Sequence, residues 1–75
     1  MKEYSYTVVF ERIPEGYQVV VPPLPESVTY GRTMNEARDM ARNAIRCVLE
    51  SALKTGEPIP DDVQPTTERI ALTLP

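Results

Sequence analysis

The chain is 75 residues long, 41% apolar and 25% charged. That composition admits one small core, burying about 60 to 65% of the unfolded surface, and argues against disorder. Eleven acidic against eight basic residues give a formal charge of −3, the opposite of a phosphate-backbone binder, so a basic partner is favoured over nucleic acid. A single cysteine and no histidine exclude an internal disulfide, CxxC metal or redox sites and histidine acid–base chemistry.

The opening "MKEYSYTVVFER" has no apolar block of signal-peptide length, and no run approaches a membrane span, so a soluble, cytoplasmic protein is expected. From residue 4 to 12, Tyr4, Tyr6, Val8 and Phe10 alternate with Ser5, Thr7 and Glu11, the period of a strand with one buried face. Pro14 and Gly16 supply a hairpin turn, and "YQVVV" resumes a second strand over 17–21. Pro22, Pro23 and Pro25 then stop that strand. Their fixed φ predicts an extended, preorganised segment, followed by a third short strand over 27–31.

Thr33-Met34-Asn35-Glu36 fits a capping box, and Gly56 with Pro58 fits a helix end, so a helix is expected over 34–55. Its i, i+4 rows Ala37, Ala41, Ile45, Leu49, Leu53 and Met40, Ala44, Val48, Ala52 form one broad apolar face, while Arg38, Arg42, Arg46 and Glu50 lie on the solvent half. Cys47 is a small helix residue. Residues 56–67 read as a proline-rich return loop, and Ile70, Leu72 and Leu74 alternate with Arg69, Ala71 and Thr73 as a final strand over 68–74. The expected fold is a single α+β domain over residues 1–75, β-β-β-α-β, with an antiparallel sheet and one long helix on one face.

Chemistry is mostly absent. The three glycines are isolated, so no phosphate loop exists, and adjacent Asp61 and Asp62 splay apart in extended chain. No metal, cofactor or catalytic residue is expected. Glu11, Glu15 and Glu26 can form an acidic contact patch or keep the surface soluble. The row Arg38, Arg42, Arg46 reads as a solvated face or as subunit salt links, and the four tyrosines as core and rim residues.

The ordered series Glu15-Gly16-Tyr17, the Pro-x-Leu-Pro of Pro22 to Pro25, Gly31-x-Thr33, Glu36-Ala37, Ala44-Ile45 and Gly56-Glu57-Pro58-Ile59-Pro60 resembles the N-terminal, partial RNase H-like domain of the HicB antitoxin family. The resemblance covers residues 6 to 62. It implies a non-enzyme that binds HicA, a small basic mRNA-cleaving toxin with a catalytic histidine, and covers its active site. Glu26 stands where the family usually has glycine, and Arg32 where it has an acidic residue. Most members continue into a DNA-binding domain; this chain ends at Pro75, so autorepression by it is not expected.

On this reading Leu24, Glu26 and Tyr30, with Glu15 and Glu11, are the expected toxin contacts, the proline loop docking without a large ordering cost. The same loop can instead simply close one end of the sheet over the helix. An exposed edge strand suggests a homo-oligomer. The rival functions are a solitary regulatory domain without a toxin, a metal-dependent nuclease using Glu11 and Glu68, and direct RNA binding.

Overall fold

The structure is a computed structural model that describes residues 2–25 and 27–75. Strand β1 is Val9–Ile13, β2 is Gly16–Val20, β3 is Thr29–Gly31, and helix α1 is Met34–Thr55. The strands form an antiparallel sheet in the order β1-β2-β3, with α1 packed on one face, mainly over β3 and β2. This is the α+β two-layer arrangement expected from the sequence.

The β1–β2 hairpin turns through Pro14 and Glu15, with Ile13 opposite Gly16. Gly16 has φ +144°, and a side chain there would run into the backbone of Gly31 and Arg32, so glycine alone closes this corner. Gly31 is buried, and a Cβ on it would collide with the backbone of Ala37. The missing side chain lets the start of α1 lie directly on the end of β3.

Strand β1 starts at Val9, not at Tyr4 as the alternation suggests. The register explains it: Val9 faces Val20, which would set Thr7 and Tyr6 against Pro22 and Pro23. Those prolines have no N–H to donate, so the ladder stops there. The loop they open is not extended. Leu24 N–H donates to the Val21 carbonyl at 2.8 Å and Ser27 N–H to the Leu24 carbonyl at 2.9 Å, two successive turns of the kind that proline favours. The third strand is correspondingly shorter than the expected 27–31.

Helix α1 is 22 residues long. The Thr33 hydroxyl accepts from Glu36 N–H at 3.1 Å, satisfying one of the free donors of the first turn. Gly56 is left-handed, and both its N–H and that of Glu57 donate to the Ala52 carbonyl, which terminates the helix in a Schellman arrangement. Ala37, Ala41, Leu49 and Ala52 are buried, and Ala37 and Ala41 meet Val19 in the core with Val8, Phe10 and Tyr17 at its edge. Val19 and Val21 are fully buried, each contributing about 1.5–3 kcal/mol. Met40 and Leu53, expected on the core face, are exposed: a helix this long overhangs a sheet of three- to five-residue strands.

Among the described residues no strand follows α1, so the expected strand over 68–74 is not formed. Ile70, Leu72 and Leu74 are 80%, 80% and 76% exposed.

Candidate functional site

Period-2 alternation divides the sheet between two faces. Phe10, Val19 and Thr29 form one row on the helix side, and Arg12, Tyr17 and Gly31 the next, with the Arg12 guanidinium 5.7 Å from the centre of the Tyr17 ring. The opposite face carries Val9 beside Val20, then Glu11, Gln18 and Tyr30 side by side in one row, then Ile13 at the hairpin end. Among the described residues the helix packs on the other face, over β3 and β2, and Tyr30 is 56% exposed.

Three of the five residues singled out from the sequence therefore meet. Glu11 and Tyr30 share a cross-strand row through Gln18, and Glu15 in the hairpin turn joins Tyr30, Ile13, Arg32 and Glu36 around an open cleft of about 380 Å³. The cleft lies at the N-terminal end of α1, where the helix dipole is positive. Tyr30 supplies a large amphipathic surface of the type that anchors interfaces, and the carboxylates supply its rim.

Leu24 does not belong to this surface. It is 5% exposed and shares its surroundings with Pro23, Pro25 and Val48, so the loop closes one end of the sheet over the helix, and the expected exposed leucine contact is replaced by a core residue. Glu26 lies outside the described residues. Ile13 and Gln18 are neighbours of this surface that the sequence reading does not single out, whereas Arg32 is noted there as a departure from the family pattern. The two-residue hairpin turn was the available signal, since it fixes the register that sets Gln18 between Glu11 and Tyr30.

A second polar cluster ties the segment after α1 to the start of the chain. Tyr6 O–H donates to the Pro60 carbonyl. The Asp62 carboxylate accepts from Thr7 N–H and from the Thr7 hydroxyl, both at 2.8 Å. Those bonds hold the Asp62 carboxyl below its usual range, while partial burial and then the charge of Asp61 push the Tyr6 phenol up. On the helix surface, Arg42 pairs with Asp39 at 3.0 Å and Arg38 donates to Asn35 at 3.0 Å. Two members of the arginine row thus have local partners on a solvated face. Cys47 is exposed. Among the described residues no three His, Cys, Asp or Glu side chains stand together as a metal site, and no helix is long and apolar enough to cross a membrane.

The fold is that of a small α+β domain, a three-stranded antiparallel sheet with one long helix. The model of the HicB-like antitoxin family of bacterial toxin–antitoxin systems matches residues 6–72, and the chain belongs to that family. It is 45% identical over 59 residues to a UPF0150 protein of Thermoplasma acidophilum, covering 77% of this chain and 86% of that one. It is 38% identical over 61 residues to antitoxin HicB 1 of Photorhabdus laumondii, and 34% identical over 55 residues to an uncharacterized 14.9 kDa protein of Haemophilus phage HP1. These matches cover 80% and 73% of this chain but only 39% and 41% of the two longer relatives. No solved structure matches.

Proposed function

We propose that this chain is an antitoxin without enzymatic activity of its own, which neutralises a HicA-like mRNA-cleaving toxin in the cytoplasm by covering its active site. The observation that carries the reading is the family match over residues 6–72. The open sheet face with Glu11, Glu15 and Tyr30 supports it, because an acidic rim around an aromatic anchor suits a small basic ribonuclease. Net charge of −3 acts in the same direction: it speeds encounter with a basic protein and opposes binding to RNA. Homo-oligomerisation is part of the proposal.

Glu11→Lys with Glu15→Lys should slow association with the toxin and weaken its dependence on salt. Tyr30→Ala should raise the dissociation rate by about fivefold or more, since an interface aromatic of this kind is worth upwards of about 1 kcal/mol. Surface-plasmon kinetics, read beside toxin ribonuclease activity, test both. Unchanged kinetics in both variants would remove this face from the interface.

A further inference from the structure

The segment 68–74 has the alternation of a strand but pairs with no strand among the described residues, while β1 stands at an edge of the sheet. We infer that residues 68–74 of one copy add as a strand to the β1 edge of a second copy, and that the second copy returns the same segment.

Three observations carry this. The first is register. Asp62 is hydrogen-bonded to Thr7, which fixes where the returning chain meets the start of β1. Continuing parallel to β1 in step, residue 68 would stand beside Ile13, the last residue of that strand. Continuing the other way, the segment would run along residues 2–6, which belong to no ladder. In either direction residues 69–74 overshoot the sheet of their own molecule.

The second is the shape of the β1 edge. Helix α1 lies over β3 and β2, leaving a groove of about 370 Å³ between β1 and the helix, bordered by the apolar Val8, Phe10, Ala41 and Ile45 together with Tyr6 and the helix arginines Arg38 and Arg42. Tyr6, Val8 and Phe10 are only half-buried. A strand paired to β1 would aim every second side chain at this groove, and Ile70, Leu72 and Leu74 have the matching period.

The third is surface area. A compact chain of this mass exposes about 4,700 Å² and has a radius of gyration of about 11 Å. This one exposes 6352 Å² with a radius of 15.2 Å and a long axis of 57 Å. The excess is roughly 1,700 Å² per chain, or about 3,400 Å² for two copies, which is within the roughly 2,000–5,000 Å² that obligate homodimer interfaces bury in total. A second copy is the fitting occupant because each copy holds both the unused strand and the open edge, so a two-fold exchange closes with both satisfied. A different protein on the β1 edge would leave residues 68–74 exposed.

This deepens the homo-oligomer part of the proposed function, and its test needs no toxin, so its failure leaves the toxin reading standing. Sedimentation of the full chain across micromolar concentrations should give twice the chain mass of 8.5 kDa. Ile70→Asp with Leu72→Asp should return it to the single-chain mass with unchanged helical circular dichroism. In the same variant, backbone amides along the open edge of β1 should exchange at least about tenfold faster than in the parent chain. A parent chain that stays monomeric overturns the inference, also where its β1 amides are protected, since the strand has then closed on its own sheet. A dimer that survives the double substitution overturns it too, placing self-association elsewhere.

Discussion

Two stretches of this molecule alternate apolar and polar residues, and only one of them is a strand in the single chain. Residues 9–13 sit in a ladder with β2, whereas Ile70, Leu72 and Leu74 alternate as cleanly and stand free in solvent. The difference lies in what each stretch can reach. A two-residue turn delivers β2 to β1, but the anchor of Asp62 on Thr7 brings the tail to β1 too late to use it. Periodicity fixes which face a segment would bury; a backbone partner within reach decides whether it does.

The contrast predicts large effects from small changes in the body and almost none on body stability from changes in the tail. Leu24→Ala removes a side chain that is 5% exposed and should cost about 2–5 kcal/mol by chemical denaturation. A loss well below 1 kcal/mol would return Leu24 to the surface role first expected for it. Gly31→Ala, which pushes a methyl against the Ala37 backbone, should cost about 1–3 kcal/mol and separate the helix start from β3. Thr33→Ala deletes the N-cap acceptor; a loss of about 1 kcal/mol is expected, read as a melting point lower by about 4–8 °C.

The smallest effect sits at the join between body and tail. The Asp62 carboxyl titrates below its unfolded value because Thr7 donates to its charged form. Its contribution is therefore complete above the ordinary aspartate range and is lost as pH falls through the lowered folded value. Protection of the Thr7 amide, taken relative to its intrinsic exchange rate at each pH, should fall in that acid window, and Asp62→Asn should remove this pH dependence while leaving the helix signal unchanged.

The helix was legible because both of its ends carry chemistry in the sequence, Thr33 at one and Gly56 at the other, and because its apolar rows have helical spacing. The hairpin was legible from Pro14 and Gly16. What one chain's sequence does not carry is reach. The start of β1 depended on which β2 residues are prolines in the paired register, and the fate of 68–74 on a side-chain anchor six residues upstream. The candidate surface is legible only in its residue types. Glu11 and Tyr30 carry charge and aromatic character, and the register sets them in one row through Gln18, with Glu15 in the adjoining turn. The prolines around Leu24 suggest an exposed loop, but tandem turns fold that leucine inward.

The measurement that bears most directly on the antitoxin reading is purification of the tagged chain from its native host, with the ribonuclease activity of whatever co-purifies assayed with and without added chain. The account predicts a stoichiometric small basic protein that cleaves mRNA alone and is silenced by this chain. Recovery of the chain by itself, with no suppressible ribonuclease at low or moderate salt, would contradict it and leave a self-associating regulatory domain in its place.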